Sequence, residues 1–132
     1  MLEKTYIMVK PDGVKRGLVG EIIRRIETKG YKIVDLRLMR PNRELVMKHY
    51  DVHKDKHFFG ELVNFISDSE VVGMVVEGED VITVLRNMIG DKNPAIATSG
   101  TIRGDYANSL TKNIIHGSDS IETAEREIGI WF

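Results

Sequence analysis

A chain of 132 residues, 42% apolar, is long enough for one compact domain with a real core, here expected over residues 1–132. Its 30% charged residues balance to a net charge of -1, so no overall field recommends a nucleic acid or an acidic membrane as the default partner. Cysteine is absent, which excludes disulfide frameworks and thiolate metal sites. The start, Met1-Leu2-Glu3-Lys4-Thr5, lacks the basic-then-apolar order of a signal peptide, and no apolar run approaches the ~20 residues of a membrane helix. A cytoplasmic location is therefore expected, with no membrane partner.

Residues 5–9 are β-branched and aromatic, and predict a strand that Pro11-Asp12-Gly13 ends abruptly. That leaves Lys10 at the last strand position, pointing into whatever the next loop lines. Over residues 18–29 the apolar side chains Leu18, Val19, Ile22, Ile23 and Ile26 recur at helical spacing, and Gly30 is a good stop. Residues 32–39 then alternate, with Val34, Leu36 and Leu38 on one strand face.

After Pro41-Asn42, residues 43–54 predict a helix that carries His49 and Tyr50. His49 and His53 stand four apart on one helical face, a metal-like spacing, but no third ligand and no His-Glu-x-x-His arrangement supports it. His57-Phe58-Phe59 opens a second helix with a stripe of Phe59, Leu62, Val63 and Ile66. Phe58 lies off that stripe, as core or as a surface on which a base can stack. Residues 70–76 are nearly all apolar and predict a central strand buried on both faces. Glu79-Asp80 puts negative charge into the first turn of the next helix, whose stripe is Val81, Ile82, Leu85, Met88 and Ile89. Arg86 flanks that stripe near the C-terminus.

Residues 90–112 lose their periodicity and hold Thr101-Ile102-Arg103-Gly104-Asp105; a structureless stretch of ~20 residues in a small domain is more often functional than idle. Asn113-Ile114-Ile115-His116-Gly117-Ser118-Asp119-Ser120 follows: an apolar strand end, a histidine, a glycine turn and a helix start. Asp119 and Glu122 have capping-box spacing. A histidine on such a junction is fixed at its base and open at its tip, which suits a nucleophile as well as a structural imidazole. The order strand, helix, strand, helix pair, strand, helix, loop, strand, helix predicts an α+β, ferredoxin-like sandwich, a four-stranded and mostly antiparallel sheet with helices packed on one face.

No Gly-x4-Gly-Lys-Ser/Thr, dinucleotide fingerprint or Gly-x-Ser-x-Gly elbow occurs. A neutral imidazole with cations such as Lys10, Arg86 and Arg103 around it would suit phosphoryl transfer, though spacing alone does not bring them together.

The chain closely resembles the nucleoside diphosphate kinases along nearly its whole length. The resemblance rests on Val9-Lys10-Pro11-Asp12-Gly13-Val14-Lys15-Arg16-Gly17, His49-Tyr50, Phe58-Phe59, Gly100-Thr101-Ile102-Arg103-Gly104-Asp105 and Asn113 through Ser120. It implies a ping-pong transfer of the γ-phosphate of a nucleoside triphosphate to a nucleoside diphosphate through a phosphohistidine at His116. By the same resemblance Glu127 orients that imidazole with Ser118 beside it, and Tyr50 offers a hydroxyl near the transferred group. Lys10, Arg86 and Arg103 grip phosphates, Asn113 bonds the ribose region, and Phe58 stacks on the base. Broad base and sugar tolerance would follow, as would magnesium (Mg2+) carried on the nucleotide, with no metal ligand from the protein. The family's assembly implies a homo-oligomer, a tetramer or hexamer, without an obligatory nucleic acid.

Three departures stand out. Lys92 replaces a phosphate-contacting threonine, Ser99 replaces a proline, and many relatives continue past the position of Phe132 with a tail that covers a neighbouring subunit. Two other readings are an inactive subunit of the same fold and a nucleic-acid-binding module on an open sheet. The first sits badly with an intact His116, Lys10, Arg86, Arg103 and Asn113, and the second with the missing aromatic RNA-recognition motif.

Overall fold

The computed structural model describes residues 2–132. Four strands, β1 (Leu2–Val9), β2 (Lys32–Met39), β3 (Val71–Glu79) and β4 (Ile115–Gly117), form one sheet in the order β2-β3-β1-β4. All three pairings are antiparallel. The helices are α1 (Pro11–Lys15), α2 (Val19–Thr28), α3 (Arg43–His49), α4 (Phe59–Ile66), α5 (Val81–Ile89), α6 (Ile102–Tyr106) and α7 (Ile121–Trp131). The ferredoxin-like plan is borne out.

Helices cover both faces of this sheet, not one. Side chains alternate along β1, so Ile7 and Val9 join a cluster with Ile22 and Ile26 of α2 and Leu85 and Ile89 of α5. Tyr6 and Met8 point the other way, into a cluster with Val46 of α3, Val63 and Ile66 of α4 and Trp131 of α7. A run such as Val71-Val72-Gly73-Met74-Val75-Val76, buried at every position, requires this double cover. Each fully buried aliphatic side chain contributes roughly 1.5–3 kcal/mol, so both layers are needed in a domain this small. The covering also removes the open sheet face on which a nucleic-acid module would stack bases.

Local chemistry shifts several boundaries from those the periodicity predicts. β3 runs on to Glu79 because Leu2, Glu3 and Lys4 pair with Glu79, Gly78 and Glu77. Glu79 thus ends a strand, and Asp80, at a φ of 51°, makes the turn into α5; neither lies in the helix's first turn. The predicted helix over 43–54 stops at His49 and becomes a 3₁₀ turn at Asp51–His53, so His49 and His53 do not share a helical face. The capping box at Asp119 and Glu122 is replaced by one residue's shift: Ser120 Oγ accepts from the Thr123 amide at 3.1 Å. On β2, an edge strand, the alternating apolar face lies open, with Val34, Leu36 and Leu38 38%, 43% and 61% exposed.

The aperiodic stretch contains α6, too short for a helical hydrophobic period to show. Thr101 caps it by accepting from the Gly104 amide at 2.9 Å, and Asp105 takes both the Gly100 amide at 2.8 Å and Arg25 of α2 at 2.7 Å. Gly104 is required because a Cβ there would run into the Thr98 carbonyl. These bonds hold α6 against the body of the domain and carry Arg103 inward.

Candidate active site

His116 sits on the short edge strand β4, directly opposite Met8 of β1. Opposite residues of an antiparallel pair share a face, so the imidazole points toward α3 and α7. Its Nε2 lies 2.8 Å from Oε1 of Glu127, which comes from α7 and is buried. The Ser118 hydroxyl donates to the same oxygen at 2.6 Å, and the Ser118 amide is anchored to the Tyr6 carbonyl at 3.1 Å. A carboxylate only accepts, so this arrangement places the ring proton on Nε2 and leaves the lone pair on Nδ1. The side chain of His116 is 22% exposed, enough for one edge to meet a ligand.

Behind it stands His49, a residue whose nearness to His116 its sequence position does not reveal. Its ring meets that of His116 nearly at right angles, with centroids 4.7 Å apart. Trp131 Nε1–H donates to His49 Nδ1 at 3.0 Å. Burial, with His116 beside it, pushes His49 well below the usual imidazole range, so it remains neutral. His49, His116 and Glu127 also converge closely enough to suggest a metal site. Of these atoms, His49 Nδ1 accepts from Trp131, and Glu127 Oε1 is shared by His116 and Ser118.

The cations come next. Lys10, following β1, donates to Asn113 Oδ1 at 2.8 Å, and Asn113 Nδ2 donates to the Leu110 carbonyl at 2.9 Å. Burial, with Arg103 nearby, lowers Lys10 to about 8, while the Asp12 carboxylate opposes the shift. Arg103 donates to the carbonyls of Asn113 at 3.3 Å, Gly90 at 3.1 Å and Ile115 at 2.6 Å. Burial, with Arg86 next to it, lowers Arg103 to about 10, which still leaves it charged at neutral pH. Arg86 of α5 donates to the Gly117 carbonyl at 3.1 Å, one residue from His116. Like charges are thus drawn together around one end of β4.

The turn that enters β4 is strained. Ile114, β-branched, has a φ of 77°, and the Ile115 amide donates back to the Asn113 carbonyl at 2.9 Å. This is a γ-turn of the rare positive-φ form, a conformation costing on the order of 1–3 kcal/mol. Gly13 of α1 packs on it so closely that a Cβ would stand 2.9 Å from the Ile114 carbonyl.

Tyr50 is buried beside His49, with ring centroids 4.7 Å apart; burial, with Glu127 near, raises its hydroxyl well above the usual phenol range. Phe58 is half-buried, with the His53 and His57 rings at 5.7 and 5.5 Å and the Lys56 ammonium 5.6 Å from its centroid. Electrostatically His53 feels both Lys92 and His116, which puts this aromatic group on the rim of the same region. Lys92 is exposed, as is Ser99. The predicted residues His116, Glu127 and Ser118 form one hydrogen-bonded group; Lys10, Arg103 and Asn113 form another, at the entrance to β4. Two neighbours do not show in the sequence: His49 against His116, and Asp12, whose Oδ2 accepts from the Ile114 amide at 3.0 Å. The one signal for either is its place inside a matching segment, His49-Tyr50 or Pro11-Asp12-Gly13.

A family model for nucleoside diphosphate kinase matches residues 3–132. Among curated proteins, a nucleoside diphosphate kinase of Exiguobacterium sibiricum is 57% identical over 99% of this chain and 95% of its own length. One from Saccharolobus islandicus is 54% identical over 100% and 96%. Among solved structures, a halophilic nucleoside diphosphate kinase from Halobacterium salinarum in complex with CDP superimposes with a TM-score of 0.96 at 48% identity, covering 100% of this chain and 88% of the other. The Aquifex aeolicus nucleoside diphosphate kinase gives a TM-score of 0.96 at 38% identity, covering 100% and 96%. With the motif residues gathered as they are and the match running nearly end to end, the chain belongs to the nucleoside diphosphate kinase family.

Proposed function

We propose that this chain is a nucleoside diphosphate kinase that moves a phosphoryl group between nucleotides through a phosphohistidine at His116. The observation that carries this reading is the His116–Glu127 contact of 2.8 Å with Ser118 on the same oxygen, which orients the imidazole and frees Nδ1. In the first half-reaction Nδ1 bonds to the γ-phosphorus while the bond to the β–γ bridging oxygen breaks and the diphosphate leaves. In the second, a terminal oxygen of another nucleoside diphosphate attacks the phosphohistidine and Nδ1 departs with its electron pair. As positive charge builds on the ring, the buried carboxylate of Glu127 stabilises it.

Lys10, Arg86 and Arg103 offset the charge on the phosphate oxygens, with the protonated Tyr50 hydroxyl as a further donor and Lys92 as a mobile cation at the edge. Asn113 serves the sugar and Phe58 the base, by stacking that favours no particular ring. Residues 1–132 act as one domain. The cleft presents cations and an amide rather than a carboxylate cage, which fits magnesium arriving on the nucleotide as part of the substrate. When bound there, the metal neutralises phosphate charge.

A homo-oligomer, tetrameric or hexameric, is supported by the open apolar row Val34, Leu36 and Leu38 on the edge strand β2. No helix among the described residues is long and apolar enough to cross a membrane, in keeping with a cytoplasmic enzyme.

The test is direct. Protein mixed with magnesium and γ-labelled ATP should take up acid-labile, base-stable label that a second nucleoside diphosphate removes. His116→Ala should abolish both label and turnover while melting within a few degrees of wild type, since the ring is partly exposed and Ser118 keeps its bond to Glu127. Label that survives His116→Ala, or none on the wild type, would sink this reading.

A further inference from the structure

We infer that Asp12 is a positioning residue for the reaction: its carboxylate holds the strained turn of residues 113–115 in place, and so fixes Asn113 and His116, while its charge supports the ammonium of Lys10. This rests on the kinase reading above and adds to it a residue that contacts no reacting atom.

Ile114 does not adopt a φ of 77° by preference; a β-branched side chain disfavours it strongly. Something must hold the turn, and three groups do so. Asp12 Oδ2 accepts from the Ile114 amide at 3.0 Å, the Lys10 amide donates to the Ile114 carbonyl at 2.8 Å, and Arg103 donates to the carbonyls on either side. The first is a charge-assisted bond between residues 102 apart in sequence, and it is the only one of these holds made by an anion. It ties α1 to the residue that separates Asn113 from the strand carrying His116. Relaxation of Ile114 to negative φ would swing the Asn113 side chain relative to His116. It would also part Asn113 from Lys10, to which it is bonded at 2.8 Å.

The second oxygen of Asp12, Oδ1, is buried and has no hydrogen-bond partner among the described residues. A carboxylate kept half-satisfied in a turn is poorly explained by stability alone. Its electrostatic neighbour explains it better. The charged groups about Lys10 are Arg103 from α6 and Asp12 from α1, with His49 farther off and neutral. Arg103 and burial drive the ammonium toward its uncharged form, and Asp12 alone among the named causes opposes them. One side chain thus holds the turn that carries the ribose-side asparagine and partly offsets what drives the phosphate-side lysine toward its uncharged form.

The two duties separate by substitution. Asp12→Asn keeps an oxygen acceptor for the Ile114 amide but removes the charge, whereas Asp12→Ala removes both. Phosphorylation of His116 by magnesium–ATP, followed in single turnover from pH 6 to 10, should show an alkaline limb in kcat/KM near 8 for the wild type, as Lys10 loses its proton. Asp12→Asn should lose only about threefold in the phosphorylation rate at pH 7 but move that limb to lower pH by half a unit or more. Asp12→Ala should make the same pH shift and in addition slow phosphorylation some thirtyfold or more, with melting lowered by only a few degrees.

Wild-type rates in Asp12→Ala would overturn the inference, as would an alkaline limb unmoved in Asp12→Asn. So would an asparagine variant as slow as the alanine one, since the acceptor would then contribute nothing. Should Asp12→Ala fail to fold, the isosteric asparagine variant still decides through its limb. If wild-type protein takes no label at all, it is the kinase reading that fails; if it labels normally and the Asp12 variants follow it, only this inference does.

Discussion

In the kinase reading proposed above, the phosphate end and the base end of the cleft rest on opposite principles. At the phosphate end His116, Glu127, Ser118, Lys10, Asn113 and Arg103 each hydrogen-bond within the chain, at 2.6–3.3 Å, and all but His116 are nine-tenths or more buried. At the base end Phe58 is half-buried and its neighbours touch it ring to ring or as a cation over the ring. Fixed donors in a water-poor setting favour developing charge, because nothing must reorganise as the reaction proceeds. A flat apolar platform adds affinity without reading a base edge. On the proposed reading, the difference would let one site be exacting about a phosphoryl group and indifferent to the nucleoside that carries it.

If that division is right, disturbing the phosphate end should change kcat and disturbing the base end should change KM. The largest effect outside His116 itself belongs to Glu127. Glu127→Ala frees the imidazole to rotate and exchange tautomers, and should lower the rate of His116 phosphorylation about a hundredfold, in the range of a lost proton-positioning group. Glu127→Gln can still accept from Nε2–H but brings no charge, so about a tenfold loss is expected. Because Glu127 stands behind the ring, KM should stay within about twofold in both variants, as rapid-quench and steady-state rates would show. A KM that rises as steeply as kcat falls would mean that Glu127 shapes the nucleotide pocket as well, and the division would blur.

Phe58→Ala is the complementary test and the next in size. Base stacking is worth ~1–3 kcal/mol by alanine substitution, so KM should rise roughly 5- to 150-fold for purine and pyrimidine nucleotides, with the phosphorylation rate at saturation little changed. A large fall at saturation would show that stacking sets the pose of the γ-phosphate, not only its residence. Loss confined to one base would contradict the tolerance inferred from a platform without directed bonds.

A similar contrast, between local pattern and distant contact, governs how much of the molecule is legible in its sequence. Elements with a strong period are legible: alternation marks β2 over residues 32–39, and the 3.6-residue stripe marks α2 to within a residue, because both are local properties. Five-residue elements such as α1 and α6 are not, since no period fits within them. The candidate site residues come from the family resemblance, not from any local pattern. What no local pattern carries is a contact such as Asp12 with Ile114 or Trp131 with His49, which span 102 and 82 residues. Nor does a sequence display a left-handed isoleucine; Ile114 looks like any strand residue until its neighbours are seen to hold it. His49 reads as half of a metal-like pair with His53 for the same reason, since its true partners lie on other elements.

Lys92 offers the finest measure of the division, because its charge reaches the histidine beside Phe58. It is exposed, it replaces the usual threonine, and its field reaches His53 beside Phe58. A threonine hydroxyl there would give a short, directed bond to a phosphate; an ammonium on a flexible stem gives attraction without fixed geometry. Lys92→Thr should therefore change KM by no more than about threefold at low ionic strength, and the difference should fade by about 0.5 M salt, as it does for exposed charges beyond a shortened Debye length. Titrating nucleotide against both proteins across that salt range checks the point. A difference that persists at high salt would give Lys92 a defined bond to phosphate and move it into the fixed end of the cleft, whereas no difference at any salt would leave it outside the site altogether.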